Sequence, residues 1–237
     1  MHRHRRVVVA LGALPGWIYR KRIEYIRVDA DDRQQDLPRL ALAPVARQPE
    51  LINAPPQIAT MAAWQATHRI PISFATGTDP VGAGLAASLE HPGGHVTGIV
   101  NSVDSLAPRR LELPRAILHH ARGIGMAAKP HDPRMNTERS AAESAAAAPG
   151  LTISIAEASN PVELDAAGAL FSDGAPLDDQ LRRSAHLVDQ LLSGAHTADM
   201  AIEQPTRFAL VVNLRAAKAP GITIPQALLL RADEVIQ

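Results

Sequence analysis

Two short polar stretches, each following an apolar run, hold the side chains best suited to gripping a small polar molecule. Thr76-Gly77-Thr78-Asp79-Pro80 follows Ile70 to Ala75, and Asn53-Ala54-Pro55-Pro56 follows Leu51 and Ile52. A carboxylate, two hydroxyls and an amide offer hydrogen bonds and one negative charge, with no nucleophile beside a base. Asp79 fits an ammonium or hydroxyl group of a bound solute, and equally a turn-forming Asp before a helix-starting proline. Thr76 and Thr78 fit hydroxyl contacts to a ligand or helix capping. Asn53, with Pro56 in the first turn of the next helix, stands open in the same way.

Other chemistries find little footing. Cysteine is absent, which removes disulfides, thiolate metal sites and Cys nucleophiles together. Ten histidines invite a metal, but the pairs His2 with His4, His91 with His95 and His119 with His120 lack acidic or Cys ligands at zinc-like spacing. Gly82-Ala83-Gly84 and Pro92-Gly93-Gly94 show neither GxGxxG spacing nor a following Gly-Lys-Ser/Thr, so they read as close packing and a tight turn rather than phosphate loops. No GxSxG elbow occurs. The expectation is a protein that binds without catalysis, cofactor or metal.

Composition narrows the partner. Of 237 residues 46% are hydrophobic and 20% charged, the balance of a globular α/β domain able to bury a good core. Aromatics are only 3%, so Ala, Leu, Val and Ile must build that core and few rings are left to stack on a sugar or base. Lys plus Arg equals Asp plus Glu at 24 each, so no net field draws the chain to nucleic acid or an anionic membrane. No apolar run approaches the ~20 residues a bilayer span needs. A basic start before Val7 to Leu14 imitates a signal peptide, but the run is short and β-branched with no small-x-small site after it, which favours a first buried strand.

The elements that must position the polar loops alternate. Ile23 to Val28 reads as a half-buried strand, Leu37 to Arg47 as a helix interrupted by Pro44, Leu51 to Asn53 as a strand and Gln57 to His68 as a helix. Ile70 to Ala75 is a strand, and Val81 to Leu89 is expected to be helical. Ser105 to His120 reads as a helix that Pro114 kinks, and Gly123 to Ala128 as a weak strand ending in the polar loop Lys129 to Pro133. Glu138 to Ala148 is an Ala-rich helix and Leu151 to Ile155 a strand. Pro176 to Leu192 is the clearest helix, with Leu177, Leu181, Ala185, Val188 and Leu192 on one stripe, Asp178 and Asp179 in its first turn and Gly194 as its stop. Phe208 to Leu214 is a buried strand and Gln226 to Ile236 a closing helix. Such alternation predicts parallel sheets covered by helices. In those sheets ligands bind beyond the strands' carboxyl ends, where helix N-termini favour an anionic or carboxylate-bearing molecule.

Five separated segments carry a resemblance. They are IEYIRVDADDRQQDLPRL from Ile23, PISFATGTDPVGAGLAASLEHPGGHVTG from Pro71 to Gly98, PRRLELPRAI from Pro108, AGALFSDGAPLDDQLRRSAHLVDQLLSG from Ala167 to Gly194, and QPTRFALVVNLRAAKAPGITIPQALLLRADEVI from Gln204. Together they resemble the ABC-transporter substrate-binding proteins of the type 1 periplasmic-binding fold, in the family's own order. The resemblance implies two α/β lobes that hinge shut on a small, often amino-acid-like solute and present it to an ABC permease, with no nucleic acid and no membrane insertion. Residues 1–101 would form the first lobe, with helix 176–193 packing back on it, and 102–237 the second.

The resemblance also adds candidates. His131 and Asp132 lie on the loop that matches the family's second-lobe cleft loop, where an exposed turn is the rival reading. Phe171 and Asp173 lie where the family lines its cleft late in the chain, with Phe171 equally suited to a core. Two departures stand out: Ala13 to Arg22 leaves no room for a full helix between the first strands, and roughly fifty residues of the family's second lobe are missing between Asp165 and Ala166, more than a loop trim explains. Pro44, Pro114 and Pro220 all fall where helices are expected. The expected fold is therefore two-lobed α/β with parallel sheets flanked by helices and a truncated second lobe. The expected function is solute capture for an importer, against the alternative of a degenerate, non-binding structural or interaction module. Family resemblance implies a periplasmic location; a chain truly starting at Met1 without a signal would be cytoplasmic.

Overall fold

In the computed structural model, strands and helices alternate along the chain. Residues 5–9, 23–28, 30, 33–55, 57–77, 79–101, 106–118, 121–128, 135–147, 150–158, 161–218 and 220–237 are described. The order is β1 (Arg5–Val9), β2 (Ile23–Arg27), α1 (Leu37–Ala46), β3 (Leu51–Asn53), α2 (Gln57–Ala66), β4 (Ile72–Gly77), β5 (Val96–Val100), α3 (Leu106–Ile117), β6 (Gly123–Ala128), α4 (Met135–Ala147), β7 (Thr152–Glu157), α5 (Pro161–Ala166), β8 (Phe171–Gly174), α6 (Leu177–Leu192), β9 (Ala209–Asn213), α7 (Leu214–Lys218), α8 (Gln226–Leu229) and β10 (Glu234–Ile236). They divide into two compact units: Met1–Asn101 with Leu177–Thr206, and Ser102–Pro176 with Arg207–Gln237.

The first unit is built on a five-stranded parallel sheet of order β2-β1-β3-β4-β5. Side chains of a strand alternate between faces, and here the alternation sorts two different coverings. Ile52, Ile72, Phe74, Val96 and Val100 join Leu37, Ala59, Ala62 and Ala63 in one apolar cluster with α1 and α2. Leu51, Asn53, Ser73, Ala75, Thr97 and Ile99 take the other face, all buried, and there α6 packs across β3, β4 and β5. That helix runs antiparallel to the strands. Near its start Gln180 Nε2 donates to Asn101 Oδ1 just past β5 (2.8 Å), and beyond its end Thr197 Oγ1 donates to the Gly94 carbonyl before β5 (2.8 Å).

The chain after α6 closes the open side of the sheet. Ile99 bridges Glu203 in parallel, with Val100 N–H donating to the Glu203 carbonyl and Glu203 N–H to the Gly98 carbonyl. Arg183 holds Glu203 at 3.4 Å. Inside the sheet the buried Phe74 ring lies against Gly98 and Gly77 so closely that a Cβ at either would overlap it. The glycine of the HVTG segment is therefore a packing requirement of the neighbouring strand.

The second unit holds β6 and β7, a parallel pair in continuous register from Gly123 with Thr152 to Ala128 with Glu157. A separate sheet has the order β10-β9-β8, with β9 antiparallel to β8 and parallel to β10. Leu113 of α3, Leu210 and Val212 of β9, Ala217 of α7 and Leu228 of α8 form its buried cluster, with Phe171 packed against it.

Several sequence expectations change. Val81 to Leu89 is a succession of turns, not a helix: the Pro80 carbonyl accepts from both Leu85 and Ala86 N–H, and Gly84 sits at φ +73°, a conformation that ends helical pairing. Gln226 to Ile236 is helical only to Leu229, because Asp233 Oδ2 accepts the Leu210 N–H (2.9 Å) and β10 then joins the sheet beside β9. Leu177 is 59% exposed, so the buried stripe of α6 is rotated to Gln180, Ser184, Ala185, Leu187, Val188 and Leu192. Pro44 and Pro114 lie inside continuous helices, α1 and α3. Pro220 lies beyond α7, in the turn that Gly221 completes at φ +70°, a usual place for proline after a helix end. The stretch Ala13 to Arg22 and the Val7 to Leu14 run beyond Val9 fall outside the described residues.

Candidate functional site

The carboxyl ends of β3, β4 and β5 make one rim of the first unit. Their adjacency follows from sheet order and is tied by backbone bonds: Ala54 N–H to the Ser73 carbonyl (2.8 Å), Ala75 N–H to the Pro55 carbonyl (3.2 Å) and Asn101 N–H to the Gly77 carbonyl (2.6 Å). On this rim the start of α2 meets the loop after β4, because Asp79 N–H donates to Gln57 Oε1 at 3.3 Å. The Asp79 side chain is exposed. One of its oxygens, Oδ1, accepts the Gly82 N–H at 2.7 Å, while Oδ2 leans so far over Gly82 that a Cβ there would collide with it. The turn-forming reading is served by Oδ1.

Asn53 lies beneath the rim rather than on it. It is fully buried at the end of β3, with Ser73 Oγ donating to its Oδ1 at 3.0 Å. Thr76 belongs to β4; Pro56 and Thr78 lie outside the described residues, as do His131 and Asp132. In the second unit Phe171 packs on the buried cluster of its sheet. Asp173 is buried on β8, and its backbone carbonyl accepts from Arg110 Nε at 2.8 Å. The structure brings Asn53, the β4 end with Thr76, and Asp79 together in one unit, and places Phe171 and Asp173 together on β8 of the other.

Three polar residues of the rim escape sequence reasoning: Gln57, Asn101 and Gln180. Gln180 carried a usable signal, since it precedes Ser184 by one turn and the two mark a polar line that an apolar stripe would not contain. Asn101 gains its partner only when α6 returns from 76 residues downstream.

At the opposite, amino-terminal edge of the same sheet sits the His91 and His95 region. His95 Nε2 bonds the Thr67 carbonyl at 3.0 Å, which fixes a protonated Nε2 because a carbonyl only accepts. Its ring meets His68 edge-on at 5.9 Å, and His68 meets Trp64 at 5.5 Å. Burial is the largest influence and lowers the His95 pKa against the opposing backbone bond, with His68 lowering it further. Among the described residues no three His, Asp or Glu side chains converge as metal ligands, and no helix is long and apolar enough to cross a membrane.

A sheet rim with a helix start and a carboxylate side by side can be compared with known proteins. The family model described as ABC transporter substrate binding protein matches residues 19–173 and 163–236. The chain belongs to the ABC transporter substrate-binding protein family. Its two matched spans overlap around α5 and β8, close to where the sequence places the family's missing residues.

A tyrosine-binding protein of Clostridioides difficile (strain R20291) is 38% identical to this family member over 106 residues, 43% of this chain and only 30% of that protein. Three solved structures share the fold. A conserved domain protein from Vibrio cholerae superposes with a TM-score of 0.83 at 23% identity, covering 98% of this chain and all of that one. An ABC domain in complex with L-Trp from Streptococcus pneumonia gives 0.78 at 20% identity, with 98% and 100% covered. A ligand-free, open substrate binding protein with adhesive properties from Clostridium difficile gives 0.72 at 18% identity, with 99% of each chain covered.

Proposed function

We propose that this substrate-binding protein captures a free amino acid for an ABC-type importer, outside the cytoplasmic membrane as its family does, and performs no chemistry on it. One observation carries the reading: Asp79, whose side chain is exposed, is held by its backbone N–H on Gln57 Oε1 beside the N-terminus of α2. A carboxylate attracts the solute's ammonium group, and the positive end of a helix attracts its carboxylate, so the two together match a zwitterion. Pro56, Thr76 and Thr78 complete the proposed surroundings of that head group, whereas Asn53 is fully buried and stays out of it. The relatives support the same class, since one is a tyrosine-binding protein and the structure of another holds L-Trp.

A thermal-shift screen against the L-amino acids, short peptides and organic acids tests this directly, because a ligand that prefers the folded state raises its stability by mass action. An L-amino acid should raise the melting midpoint, and its amide derivative, lacking the carboxylate, should not. A chain that melts cooperatively yet responds to no member of the panel would instead favour the non-binding structural module.

A further inference from the structure

Two polar groups are sealed without a bond between the sheet of the first unit and α6. Asn53 and Ser184 are both at 0% exposure, and among the described residues neither Asn53 Nδ2 nor Ser184 Oγ has a hydrogen-bond partner. They belong to the same interlayer. Asn53 shares a face with Ser73, to which it is bonded, and with Thr97, which pairs with Ser73 across β4 and β5. Thr97 Oγ1 is spent on the Met200 carbonyl at 3.1 Å, in the chain that follows α6. That helix packs on β3, β4 and β5, and Ser184 lies on its buried stripe, one turn after Gln180.

Local rearrangement does not relieve either group. Flipping the Asn53 amide would give Nδ2 to Ser73 and leave Oδ1 bare, so one end of the amide is orphaned in both orientations. A helical serine commonly bonds the carbonyl four residues back, but Ser184 Oγ makes no such bond. Buried donors and acceptors left dry are costly, and native interiors meet the demand with ordered water where the lining is polar and roomy. Ser73, Ala75 and Thr97, all small and buried, share that face of the sheet with Asn53, alongside the larger Leu51 and Ile99.

We propose that this interlayer holds an ordered internal water that bridges Asn53 Nδ2 and the Ser184 hydroxyl, coupling the end of β3 to α6 beneath the rim. The bridge is independent of solute binding above it, and the two stand or fall by separate measurements. In the full chain labelled with nitrogen-15, the Asn53 side-chain amide protons should show a cross-peak to water with the sign of a long-lived, immobilised molecule. Ser184→Ala should abolish that peak while the rest of the spectrum stays dispersed. No such peak in the wild type, or an unchanged peak in Ser184→Ala, overturns the bridge. Should Ser184→Ala fail to fold, a high-resolution crystal structure of the wild type decides. Water density about 3 Å from both atoms upholds the proposal, and a direct Asn53–Ser184 bond or a dry gap overturns it.

Discussion

Asp79 holds the Gly82 N–H through Oδ1 on an exposed side chain, and its turn-forming role and its proposed binding role can be separated by substitution. Asn at this position keeps an oxygen for the Gly82 N–H but loses the charge, so Asp79→Asn should fold nearly as well as wild type while weakening amino-acid binding roughly ten- to hundredfold. Asp79→Ala should lose that affinity and in addition about 1 kcal/mol of stability. Paired calorimetric titrations and urea melts separate the effects; equal affinity in Asp79→Asn would remove the carboxylate from the site. His95 makes a second residue-scale prediction. Its folded pKa lies below the ordinary histidine value of 6.5, so in the window beneath 6.5 the unfolded chain takes up the proton first and stability falls as pH falls. The contribution is complete above pH 6.5. Urea midpoints measured from pH 7.5 to 5 should decline in the wild type and decline less in His95→Gln; an identical decline would place the acid sensitivity elsewhere.

At the scale of elements, the close fit of β4 and β5 sets the strictest demand. Gly98 has Phe74 in the space a Cβ would need, including the Phe74 backbone carbonyl, which cannot rotate aside as a side-chain end can. Gly98→Ala should therefore cost roughly 1–3 kcal/mol or more, read as a fall in melting midpoint, whereas a change at Gly84, with open space around it, is penalised only through its φ of +73°. A neutral Gly98→Ala would mean that the strands can part. Element identity was mostly legible from periodicity: β6 follows the expected Gly123 to Ala128, and α6 stands out by its amphipathic spacing. It failed where local propensity and long-range pairing competed. The Leu-rich tail reads as helix, yet Val235 finds Val212 across the sheet, and the pull of the Asp233 carboxylate on Leu210 and Arg207, which lowers its pKa, commits that turn. Val81 to Leu89 reads as helix only if two glycines in three residues are discounted.

The whole molecule is threaded so that neither unit is one continuous piece of chain. Residues 1–101 supply the first sheet, but the helix over its second face arrives from Leu177–Leu192. A fragment ending at Asn101 would leave Leu51, Ala75 and Ile99, all buried in the full chain, bare on that face, an apolar patch a small domain cannot tolerate. Circular dichroism and NMR of the 1–101 fragment should show no cooperative melt and poor dispersion; a fragment that folds alone would deny α6 its part in the core. What the sequence determined by itself is the alternating α/β class, the kinship with substrate-binding proteins and the polar character of the loops at Asn53 and Asp79, because strand period, turn chemistry and motif order are local properties of the chain. What only the tertiary structure decided is the partnership of each polar group: that Asn53 is buried under the rim while Asp79 stands exposed on it, and that Gln180 answers Asn101 across 79 residues. Those outcomes depend on which strands lie side by side and which helix returns to cover them, and no spacing along the chain encodes a distance between segments that meet only after folding.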